Sequence, residues 1–170
     1  DVLETIRADV GETQMELLVN LDTGAAIDSV NERLVTANAY LGARAIATAL
    51  DAECDIVIAG RVADPSLTVA ACSHHFGWDW DDWNRLAGAT IAGHLIECGT
   101  QVTGGICTDW LDVPDVDRIG FPIVEVSDEG ECIVTKPIGT GGCVTEQTVK
   151  EQLLYEIGDP SAYLSPDVTV

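Results

Sequence analysis

The run Asp55 to Gly60, DIVIAG, constrains the fold more than any other stretch of the chain. It is apolar and β-branched, too short for a helix and closed by glycine, which is the pattern of a buried strand. Before it, in AYLGARAIATAL, Leu41, Ala45, Ile46, Ala49 and Leu50 fall on one stripe at helical spacing, a helix expected from about Asn38. After it the chain passes through Arg61-Val62-Ala63-Asp64-Pro65-Ser66 into LTVAACSHHF, whose first residues suit a helix opened behind a proline. Helix, strand, loop, helix predicts an α/β fold with a mixed, largely parallel sheet flanked by helices.

The remaining elements follow the same logic. Asp1 to Asp9 predicts a short helix stopped by Gly11, while Glu16 to Asn20 fits either a strand or a helix end, with LDTG as a turn behind it. Asn84 to Cys98, NRLAGATIAGHLIEC, predicts a helix whose small residues admit a close neighbouring backbone. Thr100 to Cys107 reads as a strand broken by a glycine pair. Pro122 to Val126 and Glu131 to Thr135 predict a hairpin around SDEG, and Thr145 to Ile157 a helix with Val149, Leu153, Leu154 and Ile157 on its apolar side. The fold thus carries a C-terminal β-hairpin and helix. Trp78, Trp80 and Trp83 are expected to pack a loop onto the core. The 170 residues are enough for a single domain over 1–170.

The charge narrows the function. Asp and Glu number 29 against 8 Lys and Arg, giving a net charge of −21, and the cations are six arginines with Lys136 and Lys150. Such a surface repels a polyanion, which excludes nucleic-acid binding. The acids are dispersed with few lysines, the composition expected of a halophilic microorganism whose molar salt screens self-repulsion. Six cysteines without paired spacing point to a reducing cytoplasm, and no apolar run reaches the length of a membrane span. The start at Asp1 rather than Met reads as a processed or excised segment.

Three stretches carry candidate chemistry. Arg61 and Asp64 follow the expected strand, where ligands bind in open α/β sheets; Arg61 suits a carboxylate or phosphate, and Asp64 can orient it, take a proton or cap the next helix. The pair equally suits a structural loop closure. Lys136 with Gly139, Thr140, Gly141 and Gly142 precedes a helix and can cradle an anion on its amides, or form an ordinary turn; the order matches neither a Walker nor a dinucleotide motif. His94, Glu97 and Cys98 share one helix face, where His94 and Glu97 can move a proton or the histidine can simply be packed. A metal there needs a further ligand from elsewhere, so none is assigned, and Cys98 reads as an inert small hydrophobe. The backbone at Thr103, Gly104 and Gly105 can donate to an oxyanion or mark a tight crossing. Asn38, Tyr40 and Asp109 are weaker candidates, and His74 and His75 suit the negative end of their helix.

The blocks TANAYLGARAIATAL, CDIVIAGRVADPSLTVA, HHFGWDWDDWNRLAGATIAGHLIECGTQVTGG, GFPIVEV and KPIGTGGCVTEQTVKEQLLYEIGDPSAYLSPDV, in this order, resemble the acyclic terpene utilisation protein A (AtuA) family. The resemblance is dense from about Val35 to Val168 and thinner before it. It implies the later part of a longer core, and a setting in the breakdown of acyclic terpenoids such as citronellol and geraniol derivatives through branched acyl-CoA intermediates. Joined to the candidate residues, it implies hydratase, lyase or isomerase-type proton transfer on an acyl-CoA or carboxylate. His94 or Glu97, with Asp64, would move the proton and Arg61, Lys136 and the glycine loops would hold the anion. The alternative is a non-catalytic subunit or assembly domain. A homo-oligomer or association with a partner subunit is expected, with a CoA thioester as substrate and no cofactor assigned.

Overall fold

A computed structural model of the chain describes residues 2–20 and 22–170, with the side chains of Val2, Thr13, Asn31 and Glu32 left aside. Asp1 and Leu21, at the start of the expected first helix and of the LDTG turn, lie outside the described residues. The contacts divide the chain into two compact units, Asp1–Ala39 and Tyr40–Val170.

In the first unit α1 (Val2–Val10) is followed by a single turn, α2 (Glu12–Met15), and Gly11 between them takes φ 79°, which stops α1 as its position predicts. Leu3 and Met15 are buried, and Arg7 reaches Asp28 at 2.8 Å, tying α1 to a 3-10 turn at Ile27–Arg33. Of the two readings of Glu16 to Asn20 the helix end fits: Glu16 is the C-cap of α2, and the chain runs on through turns to one isolated bridge, Val19 to Ala26.

The second unit is built on three helices, α3 (Arg44–Asp51), α4 (Ser66–Phe76) and α5 (Trp83–Glu97), with α6 (Glu146–Glu156) against the far side of α5. Ala43, Ile46, Val69, Ala70, Leu86, Ala89 and Trp78 form the core between them. The glycines of α5 mark where other backbones cross. A Cβ on Gly93 would stand 2.7 Å from Pro65 Cα, and one on Gly88 would meet the Gly130 carbonyl in the hairpin turn. The small residues therefore bring both the loop before α4 and the hairpin onto α5. That hairpin is β1 (Ile123–Val126) and β2 (Cys132–Thr135), antiparallel with Val124 opposite Val134, and it presents Val124, Val126, Cys132 and Val134 inward. Trp78 is buried against it, donating Nε1 to the Asp128 carbonyl at 3.0 Å and stacking on Phe76, as the aromatic corner predicts; Trp83, by contrast, is exposed. The C-terminal segment is held by Asp167, both of whose carboxylate oxygens accept from the Ala43 N–H at 2.9 Å at the start of α3.

The largely parallel sheet is not formed. Asp55 to Gly60 forms neither helix nor strand, and among the described residues no strand pairs with it. Val57 rests on the core while Ile56 and Ile58 are 81% and 93% exposed. A β-branched pattern reports suitability for a ladder, and the ladder itself needs a neighbour. Only one parallel bridge stands nearby, Leu41 to Val62. That bridge also holds Leu41 off the helix, so α3 begins at Arg44 rather than near Asn38. Thr100 to Cys107 is likewise no strand. Gln101–Gly105 is a π-helical turn continuing from the end of α5, with Gly104 at φ 102° and the Gly105 N–H returned to the Thr100 carbonyl at 2.9 Å. In α6 Thr148 and Gln152 are buried, Val149 and Leu153 are half-buried, Ile157 just beyond it is buried, and Leu154 is exposed. Among the described residues the architecture is mixed helix and strand, with the helices dominant and one small antiparallel sheet.

Candidate active site

His94 sits in the last turn of α5, 2% exposed, held between α6 and Tyr163. Its Nε2 lies 2.5 Å from the Tyr163 hydroxyl, and its Nδ1 faces Glu156 Oε2 at 3.5 Å without a hydrogen-bond partner. Glu97, one turn further along α5, accepts the Cys98 thiol at 2.7 Å, and Glu156 accepts the same thiol at 3.1 Å. Gln152, one turn before Glu156 on α6, donates Nε2 to the His94 carbonyl at 2.8 Å. An imidazole, two carboxylates, a phenol and a thiol thus converge where α5 ends beside α6. Ligand atoms of His94, Glu97 and Glu156 lie within 4.8 Å of one another.

Crowding and burial set the charges here. Burial pushes His94 below its ordinary value, opposed by the negative charges of Glu97 and Asp64. Burial raises Glu156, and Glu97 and Asp64 raise it further. Tyr163 is raised by burial and then by Glu156, Asp64 and Glu97, and burial with the two neighbouring carboxylates pushes the Cys98 thiol up to about 12. Cys98 is therefore a protonated donor to carboxylates, in keeping with an inert thiol.

Tyr163 links this cluster to a cavity of 460 Å³. Its walls are Ile91 of α5, Leu153, Leu154 and Ile157 of α6, with Pro160 and Val170, and Lys150 is the one cation among its lining residues. The wall is apolar apart from that lysine and the phenol, which suits a branched hydrocarbon with a polar end. Lys150 also pairs with Glu146 one turn earlier on α6.

The expected site residues fall into separate groups. Asp64 comes close enough to His94, Glu156 and Tyr163 for its charge to act on all three, because Pro65 crosses α5 at Gly93. Asp64 makes no cap to α4 and no ion pair with Arg61, whose guanidinium instead lies over the Tyr40 ring at 5.5 Å. Thr103 meets the glycine loop, its carbonyl accepting the Cys143 N–H at 2.9 Å, whereas a Cβ on Gly104 would meet Val113 and one on Gly105 would meet Thr100. The amides of that loop are spent on protein carbonyls, Gly141 on Arg118 at 2.9 Å and Gly142 on Pro114 at 2.7 Å, while Lys136 closes it by donating to the Thr140 carbonyl at 2.7 Å. Gly139 takes φ 81° within the turn. These glycine stretches and Arg61 do not line the cavity at Tyr163.

Sequence reasoning missed Glu156, Gln152 and Tyr163. The available signal was the spacing of Thr148, Gln152 and Glu156 at four-residue steps, a polar stripe along one side of α6.

The model of the acyclic terpene utilisation family protein AtuA matches residues 1–170, the whole chain. This chain belongs to the AtuA family. The match includes the first 34 residues, where the resemblance was thinner, and it places this AtuA-family chain in the setting of terpene utilisation. No curated protein and no solved structure matches it. Among the described residues of this AtuA-family chain, no helix is long and apolar enough to cross a membrane.

Proposed function

We propose that this AtuA-family chain binds a branched acyl thioester or carboxylate, with its hydrocarbon part in the cavity beside Tyr163, and exchanges a proton with it. The observation that carries this reading is the double position of Tyr163: it lines an apolar cavity, and its hydroxyl shares a short hydrogen bond with the buried His94. Tyr163 is then the group that meets substrate and His94 its proton partner, the arrangement needed for hydratase, lyase or isomerase-type chemistry. Lys150 supplies a positive charge at the same cavity for the carboxylate or thioester end. Asp64, Glu97 and Glu156 keep the far side of the imidazole negative.

The test is exchange in D2O at molar KCl, following deuterium entry into citronellic and geranic acids and their CoA esters by NMR. Tyr163→Phe is expected to slow exchange about 100-fold or more, and His94→Gln similarly. Exchange that survives both substitutions at full rate removes the reading.

Exposed Ile56 and Ile58 favour a second reading, an assembly domain that pairs this apolar segment with a copy of itself or a partner subunit. Ile56→Lys with Ile58→Lys would then lower the mass measured by sedimentation, and leave it unchanged if the segment serves no association.

A further inference from the structure

We infer that His94 Nδ1, Glu97 and Glu156 form a binding site for one first-row divalent cation. His94 supplies the observation that separates this cluster from an ordinary acidic patch. Its side chain is 3% exposed, its Nδ1 has no hydrogen-bond partner, and that nitrogen points at a carboxylate. Unsatisfied buried nitrogens are uncommon in folded proteins, and a ligand is one reason they persist. The Nδ1 to Glu156 Oε2 separation is 3.5 Å, close to the ~3.4 Å edge that two ligands at 2.0–2.1 Å make around a tetrahedral ion. The Glu97 carboxylate lies within 4.8 Å of both other ligand atoms.

The surrounding hydrogen bonds have the form that metal sites take. The second nitrogen of a ligating imidazole usually engages an oxygen, and Nε2 lies 2.5 Å from the Tyr163 hydroxyl. Gln152 donates to Glu156 Oε1 at 3.3 Å, and the Cys98 thiol bridges the two carboxylates. Glu97 is exposed, which opens a path for entry. One imidazole nitrogen with two carboxylates favours zinc or manganese over calcium and magnesium, which take oxygen ligands throughout. Three protein ligands leave a position for water or a substrate oxygen. The inference goes beyond the proton-transfer reading, since cation binding needs no turnover. A cation on Nδ1 leaves Nε2–H to donate to the Tyr163 oxygen.

The experiment titrates Zn²⁺, and separately Mn²⁺, into the chelator-treated full chain by calorimetry in molar KCl, where surface carboxylates are screened. One saturable site is expected, weakened at least 100-fold by His94→Ala and by Glu156→Gln and unchanged by Asp81→Asn, an exposed acid elsewhere. Binding that His94→Ala retains, or binding that falls equally in the Asp81 variant, assigns the ions to surface carboxylates and overturns the proposal. Should the variants not fold, crystals of the unaltered chain soaked in Zn²⁺ decide by anomalous scattering. A peak within coordination distance of His94 Nδ1, Glu97 and Glu156 is expected, and its absence there overturns the site whatever the tyrosine does in exchange.

Discussion

Gln152 Nε2 of α6 donates to the backbone carbonyl of His94 in α5 at 2.8 Å, and Gln152 is wholly buried. Because Gln152 and Glu156 are one turn apart, this single bond sets the height at which Glu156 faces the imidazole. Gln152→Leu keeps the volume and removes the donor. It is expected to lose about 1–3 kcal/mol in denaturant unfolding. A variant as stable as the parent would mean that the bond does not hold the two helices in register.

Alanine usually stabilises a helix interior over glycine by about 1 kcal/mol. Gly93→Ala is expected to do the opposite, because the added methyl meets Pro65 backbone at 2.7 Å and displaces the loop that carries Asp64. A net loss of about 1–3 kcal/mol follows from overpacking, read as a lower melting temperature. Stabilisation by this substitution would show that the loop does not press on α5.

Glu151 accepts the Thr108 N–H at 2.8 Å and the Gln147 amide at 2.9 Å, and these bonds hold its carboxyl below the ordinary 4.5. The folded chain binds this proton less tightly than the unfolded chain. The stability it contributes is therefore fully present above pH 4.5 and is lost as pH falls through the lowered folded value. Melting curves of the parent and Glu151→Gln should differ at pH 7 and draw together toward pH 3. A difference that grows on acidification would reverse the sign.

Cys54 is exposed, whereas burial raises the thiols of Cys72, Cys107 and Cys132. Iodoacetamide at pH 8 should modify Cys54 first, and the buried Cys72 and Cys107 and the half-buried Cys132 only at higher pH or in denaturant. Mass spectrometry of the peptides reads the order, and equal labelling of Cys72 and Cys54 would contradict the packing of α4.

Much of the second unit was legible because its signals are local. Pro65 before LTVAACSHHF and the turn residues of SDEG each act within a few residues, and α4 and the hairpin stand where these signals put them. The glycines of α5 forecast close neighbours, and Pro65 and Gly130 are those neighbours. DIVIAG carried an equally strong local pattern, yet pairing depends on a second strand that its own residues do not encode. TQVTGGIC failed for a related reason: the chain leaves α5 at Cys98, and the glycine pair lets it coil there instead of extending.

Composition and order of residues alone determined the acidic surface, the helices, the hairpin and the family. Only the tertiary structure brought the residues of the candidate site together, since His94, Glu156 and Tyr163 are 69 positions apart at the extremes and meet through the packing of α6 on α5. It also decided that the glycine loop spends the amides of Gly141 and Gly142 on the carbonyls of Arg118 and Pro114. The physical reason is range: helix caps and turns are short-range choices of the backbone, whereas a shared proton or a common ligand requires that distant side chains be buried against one another.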